Sequence, residues 1–96
     1  MITSKERKFL SSLGQKIEPV FQIGKNGITP VMIHELSAVL DARELIKITV
    51  LKNCDLSAKE TANILSEELT AETVSVIGSK IVLYRENPKD KKIFLQ

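Results

Sequence analysis

The sequence predicts an α/β fold, a two-layer sandwich of order α-β-α-β-α-β-β with a four-stranded mixed sheet. Three observations lead to this class. Helical and strand-like spacings of apolar residues alternate along the chain, capping signals precede the helices, and a Gly-Ser pair separates the last two strand-like stretches. The chain has 96 residues without an internal repeat or linker, so we expect one domain over residues 1–96, with its core at about 2–86 and a short polar C-terminal tail.

The first predicted helix begins at a capping box and ends before a proline. Thr3 and Glu6 stand at the two ends of an S/T-x-x-E pattern, in which each side chain accepts a hydrogen bond from the other residue's backbone N–H. The apolar residues that follow at helical spacing are Phe9, Leu10, Leu13 and Ile17. Pro19 prevents the helix from continuing, and residues 20–23 are predicted to form a short strand.

The second predicted helix has equally clear signals at its start. Thr29 is a favourable N-cap, and Pro30 fits the first helical turn, where its missing N–H is not needed. The apolar stripe of this helix consists of Ile33, Leu36, Val39 and Leu40. Residues 44–52 then alternate with period two, which predicts a strand with Lys47 and Thr49 on its wetter face.

A second capping box, from Ser57 to Glu60, opens the third helix. Residues 73–77 and 80–84 are predicted strands, and Gly78-Ser79 suits the tight turn of an antiparallel hairpin. The element order requires at least one β-α-β crossover. We expect the helices to pack chiefly on one side of the sheet.

Composition excludes several classes of function. The net charge is +2, with 43% hydrophobic and 27% charged residues, and the sequence has neither a membrane-spanning apolar run nor a signal-peptide pattern. With one histidine, His34, and one cysteine, Cys54, it lacks the residues for a zinc cluster or a nucleophile–base pair. We therefore expect a cytoplasmic, monomeric, non-enzymatic protein that has no metal site and needs no cofactor.

The charges are unevenly distributed along the chain. Residues 1–30 carry five cations against two anions, and residues 80–96 carry the same numbers. Residues 55–79 carry five acidic residues against Lys59 alone. If the fold gathers the two ends on one side, a positive face would attract a polyanion although the whole-protein charge is small. The alternative is that these charges only solvate separate surfaces.

The most informative motif is Gly24-Lys25-Asn26-Gly27, which lies between a predicted strand and the helix that Thr29 caps. Glycines leave no side chain between a ligand and the backbone N–H groups, and a helix N-terminus carries partial positive charge. Lys25 adds a full charge, and Asn26 adds a hydrogen-bond donor and acceptor. This pattern suits a sugar-phosphate backbone, as in the GXXG loop of KH domains. The alternative is a connecting turn without a ligand.

Several ordered motifs resemble the CRS1-YhbY RNA-binding domain in its bacterial stand-alone form. The matching segments are residues 3–7, 19–20, 22–29, 44–48, 77–78 and 82–85. The resemblance implies a fold similar to the C-terminal domain of bacterial translation initiation factor three and RNA binding through the glycine loop. For bacterial stand-alone members it implies association with ribosomal RNA in precursors of the large ribosomal subunit. Arg43 departs from the family pattern, which often has histidine there, so we assign it no role.

The predicted RNA-binding set extends beyond the loop. Its residues are Gly24, Lys25, Asn26, Gly27, Thr29, Lys5, Arg7, Lys8, Lys16, Lys47, Lys80, Tyr84 and Arg85. The cations would contact phosphates, and Tyr84 would stack on a base, with a place in the core as its alternative. The alternative function is a protein-interaction module that docks basic ribosomal proteins through the acidic third helix, where Glu67 and Glu68 lie.

Overall fold

The computed structural model describes residues 2–95, so residues 1 and 96 of the predicted domain lie outside the described part. The element order is the predicted one. The elements are α1 (Ser4–Gly14), β1 (Pro19–Ile23), α2 (Pro30–Arg43), β2 (Leu45–Val50), α3 (Ala58–Leu69), β3 (Glu72–Ile77) and β4 (Lys80–Tyr84).

The helices begin where the capping signals predict. Thr3 and Glu6 form a reciprocal capping box at the start of α1, and Ser57 and Glu60 form another at the start of α3. The Thr29 hydroxyl accepts a hydrogen bond from the backbone N–H of the third residue of α2, which confirms it as the N-cap. Local side-chain chemistry therefore sets all three helix starts in the described chain.

The four strands form one mixed sheet in the order β1-β2-β4-β3. β1 and β2 are parallel and are joined by α2, whereas β4 is antiparallel to both β2 and β3. The predicted hairpin of β3 and β4 is confirmed. The end of the sheet where β1 and β2 finish is also the end where the hairpin turns.

Two of the three helices, α2 and α3, pack on one face of the sheet, as predicted, and α1 packs on the other face. On the first face α2 and α3 pack against Ile46, Ile48 and Leu83. On the second face Leu10 of α1 belongs to a separate apolar cluster with Tyr84 and the residues Leu45, Val74 and Val82. The second face of the sheet is thus apolar enough at one end to bury a helix, and the two-layer description holds only for α2, α3 and the sheet.

The C-terminal residues 86–95, here called the strap, are tied to the fold by the buried carboxylate of Glu44. That carboxylate accepts hydrogen bonds from the backbone N–H groups of Asn87, Lys92 and Ile93 at 2.6–2.7 Å. Ile93 and Leu95 pack against the second-face cluster. The predicted polar tail thus ends in apolar side chains that reach the core.

The hydrogen bonds of the strap decide the ionisation of Glu44. Burial raises the pKa of this carboxyl group, but the three backbone donors and the nearby Lys91 ammonium lower it more, so the pKa lies below its ordinary value of 4.5. Glu44 has φ +65°, an uncommon conformation outside glycine, directly before β2. The folded state therefore holds a charged carboxylate between the sheet and the strap.

The two edge strands of the sheet are both irregular. The pairing of β1 with β2 shifts register between Pro19 and Phe21, and that of β3 with β4 shifts between Thr73 and Ser75. The Arg7 guanidinium donates a hydrogen bond to the Thr73 carbonyl oxygen of β3. Within residues 2–95, none of the helices has the length and apolar character needed to cross a membrane.

Candidate nucleic-acid interface

The tetrapeptide Gly24–Gly27 forms a tight turn between β1 and α2. The Gly27 N–H donates a hydrogen bond to the Gly24 carbonyl oxygen at 2.9 Å, which closes the turn. Lys25 and Asn26 occupy its two central positions, and both are exposed. The turn therefore presents a cation and an amide to solvent at the end of the sheet.

Backbone at Gly27 is open to a ligand. Gly27 has φ +64°, a region that residues with a side chain rarely adopt, and apart from its two chain neighbours no residue comes within 4 Å of the position a Cβ would take. The glycine is thus required by the turn and not by close packing. A phosphate could approach this side of the main chain without meeting a side chain.

The start of α2 offers fewer free donors than the sequence predicts. Pro30 has no N–H, and the Met32 N–H already donates to the Thr29 hydroxyl oxygen at 3.1 Å. Ile33 N–H donates to the Thr29 carbonyl oxygen at 3.0 Å. What the start of α2 offers to an anion is therefore chiefly the partial positive charge of its first turn, and Thr29 acts as a helix cap.

The other side of the turn packs against residues 51–53, which follow β2. Leu51 N–H donates to the Ile23 carbonyl oxygen at 2.8 Å, and the Asn53 Oδ1 atom lies 3.1 Å from where a Cβ on Gly24 would stand. Lys52 and Asn53 are exposed. Sequence reasoning missed Asn53, because only the parallel pairing of β1 with β2 brings it beside the turn.

A polar row crosses the second face of the sheet next to the turn. Gln22, Thr49 and Lys80 are neighbours on three adjacent strands, β1, β2 and β4. The Lys80 ammonium donates to the Thr49 hydroxyl at 3.0 Å, and all three residues line one shallow hollow. Lys47 and Lys80 also line the adjoining hollow at the end of α1. The predicted residues Lys47 and Lys80 thus lie on one surface, and Lys80 is at the end of the sheet where the glycine turn follows β1.

Comparison with known proteins decides the family. The CRS1 / YhbY (CRM) domain family model matches residues 2–85. This chain belongs to the CRS1 / YhbY (CRM) domain family.

Two relatives and one solved structure place the whole CRM chain in context. It is 40% identical over 95 residues to "Probable RNA-binding protein YqeI" of Bacillus subtilis (strain 168), covering 99% of both chains. It is 33% identical over 91 residues to "RNA-binding protein" of Haemophilus influenzae, covering 94% of this chain and 91% of the relative. The solution structure of the hypothetical protein SAV1595 from Staphylococcus aureus matches with TM-score 0.84, 48% identity and full coverage of both chains. The predicted resemblance is therefore confirmed.

The cations of α1 do not gather at the glycine turn of this CRM domain. Lys5 and Lys8 are exposed on the helix, whereas Arg7 is bound to the Thr73 carbonyl oxygen. The first turn of α1 lines a hollow with Tyr84, at the opposite end of the strands from the turn. Lys5 is therefore exposed in the first turn of α1, at the end of the sheet opposite the glycine turn, and Lys8 is exposed further along the same helix. Arg7 has a structural partner.

Lys16 lies between these two regions. It is exposed just beyond the end of α1 and lines a hollow with Pro19 and Val20, at the start of β1. Ile93 of the strap lines the same hollow. Lys16 therefore lies between the strap and the start of β1, the strand that leads to the turn.

Tyr84 and Arg85 do not form an exposed stacking and phosphate-binding surface, so this part of the predicted site is wrong. Tyr84 is 3% exposed, and burial raises the pKa of its hydroxyl group. The Arg85 guanidinium donates hydrogen bonds at 2.8–3.0 Å to Ser37, Asp41 and the Leu69 carbonyl oxygen. Arg85 thus ties β4 to both α2 and α3, a role that its sequence position beside an aromatic strand residue did not indicate.

The remaining singled-out residues lie outside the polar row, although Glu68 lines a hollow with Thr29 and Pro30, directly after the turn. Glu67 and Glu68 are exposed on α3, in the layer that covers the first face of the sheet. His34 is exposed on α2, and Cys54 is a half-buried free thiol. Residues 2–95 contain no group of three or more His, Cys, Asp or Glu side chains arranged to hold a metal ion. The acidic helix α3 thus covers the first face of the sheet, whereas Lys47 and Lys80 lie on the second face.

Proposed function

We propose that this CRM domain is an RNA-binding protein that grips the RNA backbone through the turn Gly24–Gly27. The observation that carries the proposal is the open main chain at Gly27, with Lys25 at the corner of the same turn and the electropositive end of α2 behind it. Relatives with "RNA-binding protein" in their names support this ligand class. The family resemblance further implies ribosomal RNA in precursors of the large subunit as the target.

In this proposal Lys25 contacts one phosphate, and Asn26 adds a hydrogen bond to the sugar-phosphate backbone. The RNA continues over the row Gln22, Thr49 and Lys80, where the Lys80 ammonium can exchange its Thr49 partner for a phosphate oxygen. Because such contacts read charge and shape instead of base edges, affinity should fall steeply with added salt.

The direct test is the substitution Lys25→Ala, measured by fluorescence anisotropy with a labelled fragment of large-subunit precursor RNA. We expect about a tenfold loss of affinity at physiological salt, since a charge-assisted hydrogen bond is lost. The slope of log affinity against log salt should become shallower by about 0.7 on a single strand. The matched control is Lys59→Ala, an exposed lysine on the acidic α3. Equal affinities of Lys25→Ala and wild type would refute the assigned contact.

A second pair of variants tests the open backbone. Asparagine and aspartate both tolerate a positive φ better than most residues and have nearly equal size, so Gly27→Asn and Gly27→Asp share the steric change. Only Gly27→Asp adds a negative charge. We expect Gly27→Asp to bind RNA much more weakly than Gly27→Asn, and equal binding by the two variants would count against a phosphate at this position.

The alternative function, docking of basic ribosomal proteins through α3, predicts the opposite pattern. Reversal of charge at both Glu67 and Glu68 would then abolish association with precursor particles, while Lys25→Ala would leave it intact.

Crosslinking in cells, followed by mapping of the RNA contacts, identifies the target. Contacts on messenger or small-subunit RNA would contradict the proposed role in large-subunit assembly.

A further inference from the structure

The strap holds one aromatic side chain out of the fold. Ile93 and Leu95 point into the second-face cluster, and Phe94 between them is 70% exposed. The other aromatic residues of the described chain are buried or half-buried: Phe9, Phe21 and Tyr84. Phe94 therefore presents the one strongly exposed aromatic ring within residues 2–95.

The position of this ring is fixed by the backbone on which it stands. The N–H groups of Lys92 and Ile93, directly before Phe94, both donate to the Glu44 carboxylate at 2.6 Å. The main chain beside the ring is thus held by charge-assisted hydrogen bonds, which are stronger than neutral ones. A single exposed apolar residue is common on a protein surface, so an exposed ring on a fixed backbone does not by itself indicate a binding site. The residues around the ring decide whether it does.

The surroundings of Phe94 are cationic. The Lys91 ammonium lies 5.9 Å from the centre of the ring, and Lys89 and Lys92 are exposed on the same strap. Lys91 and Lys92 pair with Glu86 and Asp90 at 2.9 Å, but both acids are more than half exposed, and exposed pairs contribute little stability. These lysines can therefore turn to a phosphate at small cost.

We propose that the strap is a second RNA contact, in which the Phe94 ring stacks on an unpaired base while Lys89, Lys91 and Lys92 contact the adjacent phosphates. An aromatic platform bordered by cations is the combination that binds single-stranded nucleic acid. A basic protein partner is disfavoured by the excess of lysine on the strap. The inference rests on the proposed RNA-binding function and adds a site at a distance from the glycine turn.

The two sites lie at opposite ends of the sheet. Glu44, which anchors the strap, precedes β2, whereas the glycine turn follows β1, the parallel neighbour of β2. A six-residue strand spans about 20 Å, so an RNA that reaches both sites must cross the second face. Lys16 and Lys47 lie on that crossing. The second site thus gives the separated cations a common ligand, and the two contacts reinforce each other through effective concentration.

The test compares Phe94→Ala, Phe94→Leu and Phe94→Trp in the full chain, with a long unpaired RNA and with one too short to span both ends of the sheet. On the long RNA we expect a loss of about fivefold or more for the alanine and leucine variants, and retention by tryptophan, because stacking needs a ring. The salt slope should not change, since no charge is removed. The short RNA, held at the turn alone, should not respond.

Val76→Ala serves as the control, since Val76 is an exposed apolar residue on β3, outside both the strap and the glycine turn. Lys25→Ala is measured in parallel so that the two proposals fail separately. If Lys25→Ala weakens binding and Phe94→Ala does not, the strap site is wrong and the proposed function stands. If neither variant weakens binding, both are wrong. Loss of a protein partner with unchanged RNA affinity in Phe94→Ala would also overturn the strap as an RNA site.

Discussion

Replacing Glu44 with glutamine should loosen the strap while leaving the shape of the side chain unchanged. In the native chain one carboxylate oxygen accepts the N–H groups of Lys92 and Ile93 at 2.6 Å, and the other accepts the Asn87 N–H at 2.7 Å. Glutamine keeps one acceptor oxygen but places an NH₂ group where the other oxygen was. That group faces a donor, so one hydrogen bond is lost, and the other two become neutral.

The expected size of the effect follows from these three bonds. A hydrogen bond to a charged group contributes about 1.5–3 kcal/mol, and a neutral one contributes about 1 kcal/mol. Losing one and weakening two amounts to about 2.5–7 kcal/mol in Glu44→Gln. The loss has an upper limit, because the strap can detach and leave residue 44 in water once its docking free energy is exhausted. Even 2 kcal/mol raises the population of detached strap about 30-fold.

Amide hydrogen exchange measured by NMR reports this opening directly. We expect the Lys92 and Ile93 amides to exchange about 30-fold faster in Glu44→Gln, while the central-strand amide of Ile48 keeps its relative protection. The control is Glu86→Gln, since Glu86 is an exposed acid that pairs with the half-buried Lys91 side chain and accepts none of the three backbone hydrogen bonds. Unchanged exchange at residues 92 and 93 would show that the three hydrogen bonds do not hold the strap.

The carboxyl group of Glu44 also predicts how the stability of the folded chain, and with it the docking of the strap, depends on pH. Because the pKa of Glu44 is lower in the folded chain than its ordinary value of 4.5, its charged form is favoured by folding. The stability it contributes is fully present above pH 4.5 and is lost as the pH falls through the lower, folded-state pKa. Acid should therefore lower the protection factors of the amides of residues 92 and 93 in wild type, and Glu44→Gln should lack this pH dependence.

Two further substitutions test the packing around the sheet. Arg85→Lys should lower the free energy of unfolding in urea by about 2 kcal/mol, because one ammonium cannot reach Ser37, Asp41 and Leu69 together, while RNA affinity of the folded variant stays within twofold. Gly14→Ala places a Cβ 2.9 Å from a Val82 methyl carbon, and overpacking of about 1–3 kcal/mol exceeds the helix-propensity gain of about 1 kcal/mol. In a Val82→Ala background this destabilisation should disappear, and its persistence would point to another cause.

Local signals predicted the elements well, because they act within a few residues. The capping boxes at Thr3 and Ser57 and the N-cap at Thr29 depend on hydrogen bonds between residues three positions apart. The glycine turn was equally visible as a motif, and its exposed corner at Lys25 agrees with that prediction. Its role in RNA binding remains a proposal.

Features that join distant parts of the chain could not be predicted in this way. The strap depends on hydrogen bonds between Glu44 and residues 43–49 positions further on, and no local pattern marks a carboxylate as their acceptor. The sequence predicts a surface position for Tyr84 and Arg85, because side chains alternate between the two faces of a strand and one face is often exposed to solvent. α1 and the strap cover that face at this end of the sheet, and α2 and α3 capture Arg85.

The irregular edges of the sheet affect how readily two copies of this protein can pair through their edge strands. A strand from another molecule adds to an edge only where donors and acceptors continue in an unbroken row. Pro19 lacks a donor, Arg7 occupies the Thr73 carbonyl oxygen, and each edge pairing is out of step at one point. The edge strands are therefore a poor template for intermolecular β-pairing, and both backbone irregularity and the Arg7 side chain hinder the first step of aggregation.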